Sequence, residues 1–111
     1  MLRKNVETWK GQYTLRRGDM SWTNIVRTEK LSEELFLEFG RRKGENYEYV
    51  SLMQGDYREP KKARQLFFAH EINGKWYVYD ASAIKFVEEA GTKEKAVRIL
   101  REIAEKIERE E

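Results

Sequence analysis

A chain of 111 residues, 40% hydrophobic and 38% charged, has the length and apolar content of one folded domain spanning residues 1–111, with only the extreme ends, the last being 109–111, expected to fray. It contains no cysteine, which excludes disulfides, thiolate zinc sites and cysteine nucleophiles and leaves packing as the basis of the fold. The net charge is only +2, but residues 1–64 carry 14 Lys and Arg against 10 Asp and Glu while residues 65–111 carry 8 against 10, so the first half can attract an anionic partner.

The surplus of Lys, Arg and Glu, with a single proline, is the composition expected of a cytoplasmic protein, and it suits a thermophile because ion-pair networks gain value with temperature. The N-terminal MLRKNVETWKG lacks the apolar core of a signal peptide, and no apolar run reaches membrane-spanning length. Neither a leader nor a membrane span is expected, and membrane is not among the partners.

Along the chain, TWKGQYTLR alternates Trp9, Tyr13 and Leu15 on one face, RGDM supplies turn residues, and SWTNIVRTEKL resumes a strand pattern, so an N-terminal hairpin is expected. The Arg17-Gly18-Asp19 triplet also matches an adhesion tripeptide, but a turn is the simpler reading in a cysteine-free chain. SEELFLEFGRR and YEYVSLMQG form a second hairpin around the four-residue KGEN loop. If that loop closes between Arg42 and Tyr47, Leu35, Leu37, Phe39, Val50 and Leu52 share a core face. Glu38, Gly40, Arg42, Tyr47, Tyr49 and Ser51 then share the other, with Gly40 opposite Tyr49 so that a ring can lie over bare backbone. GDYREPKKAR, residues 55–64, is the long loop, either a phosphate clamp mobile until bound or a solvated turn.

RQLFFAHEI and KWYVYD flank Asn73-Gly74, a two-residue turn whose positions both take positive φ. That turn sets Ile72 against Lys75, His70 against Tyr77 and Phe68 against Tyr79. One face then holds Phe67, Ala69, Glu71, Trp76 and Val78, and the other holds Leu66, Phe68, His70, Ile72, Lys75, Tyr77 and Tyr79. SAIKFVEEAG suits an edge strand through Ile84 and Phe86, or a short helix. TKEKAVRILREIAEKIEREE is helical: Thr92 is the N-cap, and Ala96, Val97, Leu100, Ile103, Ala104 and Ile107 form an apolar stripe that packs on the Ala69 and Val78 face. The fold class is therefore α+β: an antiparallel sheet of five to six strands, a meander of hairpins, backed by a C-terminal amphipathic helix.

One helix covers one sheet face, so the tyrosine face needs another cover: the N-terminal hairpin, a second protomer or a ligand. Single-stranded nucleic acid is held by aromatic rings, each worth about 1–3 kcal/mol of stacking per base, with Lys and Arg following the phosphates. The chain offers Tyr47, Tyr49, Phe68, Tyr77 and Tyr79 as stacking platforms and Arg42, Lys61, Lys62, Arg64 and Lys75 as phosphate contacts. Tyrosine is also a favoured strand residue with a hydroxyl that reaches water at a core edge, and on that reading the same rings are structural. Trp9 and Trp22 either join the platform or anchor the N-terminal hairpin.

His70 is the only histidine, so no multi-histidine metal site can form, and no phosphate loop, dinucleotide fingerprint or nucleophile elbow occurs. A hydrolase would have to be assembled from Asp56, Glu59, His70 and Asp80, which no spacing ties together. The expectation is a protein without enzymatic activity, cofactor or metal that binds nucleic acid, single strands favoured, or else a homodimer or adaptor whose aromatic face meets another chain. The stretch from Gly74 to Ile103, a strand after NGKW followed by GTKEKAVRIL, resembles in outline the sheet-then-helix arm-binding domain of phage and transposon integrases.

Overall fold

The structure is a computed structural model and describes residues 23–42, 47–83 and 85–110. The expected first strand and RGDM turn of the N-terminal hairpin, Trp9, Trp22, the KGEN loop with Lys43, and Ile84 lie outside these residues. Among the described residues, six strands, β1 (Thr23–Lys30), β2 (Leu35–Arg42), β3 (Glu48–Gln54), β4 (Arg64–Ile72), β5 (Lys75–Asp80) and β6 (Lys85–Gly91), precede one α-helix, α1 (Lys93–Arg109). They form a single antiparallel sheet in the order β1-β2-β3-β4-β5-β6, so each strand pairs with its neighbours in sequence. This is the expected α+β meander backed by a C-terminal helix. Among the described residues, no helix is long and apolar enough to cross a membrane.

The β4–β5 hairpin has the register its turn dictates: Ile72 faces Lys75, His70 faces Tyr77 and Phe68 faces Tyr79. Asn73 and Gly74 both take positive φ, 53° and 85°, the conformation that matches the twist of the flanking strands. The β2–β3 hairpin also pairs as expected, with Gly40 opposite Tyr49.

Alternation then sorts the side chains into two layers. On the helix side Leu35, Leu37, Phe39, Val50, Leu52, Ala69, Trp76, Val78 and Ala90 meet Ala96, Ile99, Leu100 and Ala104 of α1 in one buried core. Ala69 and Val78 leave room for the helix, which lies over β3 to β6. Thr92 caps α1 by accepting the Lys95 N–H at 3.2 Å, as its position after Gly91 predicts. Ile99 is buried although it falls outside the expected stripe, because at three residues past Ala96 it widens the apolar face enough to seat on a sheet rather than on one partner helix.

Among the described residues, four extra ones break the ladders. Val26 is unpaired between Ile25 and Arg27, Leu66 between Gln65 and Phe67, Val87 between Phe86 and Glu88, and Ala90 between Glu89 and Gly91. Beyond each bulge the strand's side chains exchange faces. Leu66, expected on the tyrosine face, is turned by its bulge to pack against the helix-side core instead. Val26 and Val87 are exposed, and both lie on the outermost strands among the described residues, β1 and β6. Bulges and the charges of Arg27, Glu29, Lys30, Lys85, Glu88 and Glu89 blunt these edges against further strand pairing.

The loop 55–64 is held by its own bonds. Arg58 donates to Asp56 through its backbone N–H at 2.9 Å, Nε at 3.0 Å and Nη2 at 3.1 Å, and Pro60–Lys62 form a 3-10 turn that buries Ala63 against Phe36 and Met53.

Two substitutions test this account. A Cβ at position 40 would overlap the buried Tyr49 ring, so Gly40→Ala is expected to cost about 1–3 kcal/mol, read as a lower urea midpoint with unchanged slope. Removing the helix cap with Thr92→Ala is expected to cost about 1 kcal/mol by the same measurement.

Candidate functional site

The second sheet face can be followed row by row across the ladders. One row runs Ile25, Gly40, Tyr49, His70, Tyr77 and Glu89, and the next runs Thr28, Glu38, Ser51, Phe68, Tyr79 and Phe86. The middle of this face is buried within the one chain: Glu38, Ser51 and Phe68 have no exposed surface, and Tyr49 and His70 retain 5% each.

Burying polar groups is tolerated only where they are hydrogen-bonded. Tyr49 donates its hydroxyl to Glu38 Oε2 at 2.6 Å, Gln65 Nε2 donates to Ser51 Oγ at 2.8 Å, and the Tyr47 hydroxyl lies 2.8 Å from His70 Nδ1. Tyr49 therefore both covers Gly40 with its ring and satisfies a buried carboxyl with its tip. These bonds hold the layer together and withdraw its polar tips from solvent.

From His70 outward the rings form a chain. Phe68 stacks on Tyr79 with centroids 5.1 Å apart and an interplanar angle of 14°, and His70 meets Phe68, Tyr79 and Tyr47 edge-on at 5.5, 5.3 and 5.7 Å. Phe86 lies 6.1 Å from both Tyr77 and Tyr79. Burial of the Tyr79 ring, with the neighbouring Tyr77 as a second cause, pushes its phenol above the ordinary value. At this end the face opens: Phe86 is 51% exposed, Ile72 is 40% exposed, and Tyr77 and Tyr79 are half-buried.

Of the ten side chains expected to contact nucleic acid, the nine described ones are not brought together. Tyr49 and Phe68 are buried, which corrects their expected role: a base cannot stack on a ring that packing already covers. Tyr47 is engaged by His70. Arg64, opposite Gln54 and Leu35, stands on a helix-side row, and Lys61 and Lys62 sit on the exposed 3-10 turn, with Lys62 beside Glu59 at 3.9 Å. Arg42 is described only through its backbone pairing with Thr23. Lys75, Tyr77 and Tyr79 remain together at the open end, where Phe86 joins them. In the sequence Phe86 belongs only to an ambiguous strand; its alternation with Ile84 is the available signal.

On the helix side, Lys93 Nζ binds Glu48 Oε1 at 2.8 Å and Arg41 approaches the same carboxylate at 3.9 Å. The Lys93 hydrogen bond holds the Glu48 carboxyl below its usual value, against a smaller opposing effect of burial.

Of the residues from which a hydrolase would have to be built, Asp56 and Glu59 share one turn. Asp56 is taken by Arg58, Asp80 accepts from the Ser82 hydroxyl at 2.8 Å and its N–H at 3.0 Å, and His70 is beside Tyr47. Among the described residues, no group of three or more His, Asp or Glu side chains is placed to hold a metal ion. No family model, no curated protein and no solved structure matches this chain. The stretch from Gly74 to Ile103 holds two strands, which continue the six-stranded sheet, and most of α1, and KFVEE lies on the outer strand among the described residues.

The direction of the Tyr79 shift has a consequence at alkaline pH. The phenol ionises later in the folded chain than in the unfolded one, so its contribution is fully present below about pH 10 and is lost as pH rises through the folded value. Urea midpoints are expected to fall above about pH 10, and Tyr79→Phe is expected to flatten that part of the fall.

Proposed function

We propose that the chain is a non-enzymatic binding protein that associates with a second copy of itself through the open end of its aromatic sheet face. The observation that carries this reading is Phe86, half exposed on the outer strand beside Tyr77 and Tyr79, with Ile72 on the same face. Fully burying such a side chain is worth about 1.5–3 kcal/mol, and contiguous exposed apolar groups with a polar rim mark interaction surfaces.

The rim favours a like partner. Lys75 and Glu89 stand 3.7 Å apart beside the rings, both side chains at least half exposed. A two-fold interface has to complement itself, and one cation with one anion allows Lys75 of each copy to face Glu89 of the other. A nucleic acid would favour a surplus of cations instead. The first 22 residues hold five Lys and Arg and two Asp and Glu, so residues 23–111 are net −1. The bulges at Val87 and Ala90 interrupt the outer strand, which favours face-to-face packing over strand addition. A cysteine-free, charge-rich chain of this kind suits a reducing, cytoplasmic compartment.

A second reading uses the same rings: Tyr77, Phe86 and Tyr79 as a stacking platform for single-stranded nucleic acid, favoured by their accessibility and spacing. Size-exclusion chromatography with light scattering over a wide concentration range separates the two. Self-association that rises with concentration and is abolished by Phe86→Lys, with the circular dichroism spectrum retained, is expected. A concentration-independent monomer overturns the first reading, and quenching of aromatic fluorescence by oligo-dT or oligo-U that Phe86→Ala removes would assign the patch to a strand.

A further inference from the structure

A hollow of about 320 Å³ lies on the helix side of the sheet, lined by Arg27, Phe39, Lys93, Glu94, Val97 and Arg101. It sits by β1 and β2, across the sheet from Phe86, and rests on none of the groups invoked for self-association.

The bulge in β1 builds its mouth. In an unbroken ladder Val26 would stand opposite Phe39, and Arg27 would fall opposite Glu38 on the other face. The extra residue instead pairs Arg27 with Phe39 and leaves Val26 56% exposed. An apolar side chain is thereby given up to solvent and a guanidinium is aimed over the ring, 3.7 Å from its centroid, which is the re-aiming that bulges perform near functional sites.

Three further cations gather there. Lys93 Nζ is 6.0 Å from the same ring, Arg101 reaches Glu29 from α1, and Arg41 lies one row away. Two carboxylates are each shared between two cations: Glu29 by Arg27 at 3.5 Å and by Arg101, and Glu48 by Lys93 and Arg41. With Glu94 the count among the described residues is four cations to three acids. A guanidinium carries five N–H donors and an ammonium three, so a shared carboxylate engages only part of that capacity.

We propose that this hollow binds a phosphoryl oxyanion. Arg27 and Arg101 supply forked donors to its oxygens, Lys93 supplies a point charge, and Val97 forms an apolar wall. Because the Arg27 guanidinium already covers Phe39, the ring does not stack a base, and recognition ends at the phosphoryl group.

Two sources share this chemistry, a free inorganic anion and a phosphate ester on a larger molecule. Titration of the full chain with pyrophosphate, against sodium chloride at matched ionic strength, is the direct test by calorimetry and thermal unfolding. A saturable rise in Tm beyond the chloride control is expected, with affinity about tenfold weaker in Arg101→Gln and in Arg27→Gln, less weakened in Arg27→Lys, and unchanged in Lys61→Ala. Arg101 is exposed on the helix, so its variant keeps the fold and the test stands even if Arg27→Gln unfolds. Competition with pyrophosphate by a 5′-phosphorylated trinucleotide but not by its unphosphorylated form assigns an ester, and competition by neither assigns the free anion. No effect beyond chloride, or undiminished binding in Arg101→Gln, overturns the proposal.

Discussion

The register of the β4–β5 hairpin governs the arrangement of both layers. Side chains alternate with period two along a strand, so a slip of one residue would exchange the two faces of the sheet. Asn73 and Gly74 prevent that slip because few residue pairs take positive φ twice in succession. With that register, Ala69 and Val78 make a shallow seat for the helix, while Phe68, His70 and Tyr79 enter the opposite layer. Every other row is tied to this pairing through β3 to β2 on one side and to β6 on the other.

The second layer shows why an aromatic strand face is ambiguous as a functional signal. Tyr49 and Tyr77 occupy the same row, separated by His70, yet one is buried over Gly40 with its hydroxyl on Glu38 and the other opens towards solvent beside Phe86. Their neighbours make the difference: Tyr49 lies against Gly40 and Glu38, whereas Tyr77 lies against Phe86, itself half exposed. A stacking platform and a packed interior have the same residue types, and only neighbours separate them.

Much of the fold is legible in the residues. Both hairpin registers, the Gly40 and Tyr49 pairing, the Thr92 cap and the helix seat on Ala69 and Val78 follow from local rules of turn, period and cap. The candidate site is legible only in part. Lys75, Tyr77 and Tyr79 stay together because one hairpin carries them, whereas Lys61, Lys62 and Arg64 are separated from the rings by the 3-10 turn and by the bulge at Leu66. A bulge is one residue in a run of otherwise ordinary strand residues, so alternation alone assigns Leu66 to the wrong face and carries no warning that Arg27 would cover Phe39.

Short-range chemistry, readable in the chain itself, therefore determines which segments are strands, where the tight turn falls, where the helix begins, and which residues share a face within one hairpin. Tertiary structure alone decides which side chains of those faces are buried and which stay exposed, because burial depends on what packs across each face. It also decides the bulges, whose placement is set by how twisted neighbouring strands fit each other and the helix across them. The exposed Phe86 patch and the Arg27 hollow both arise at that level, one from the end of a sheet and the other from a single extra residue in its first strand.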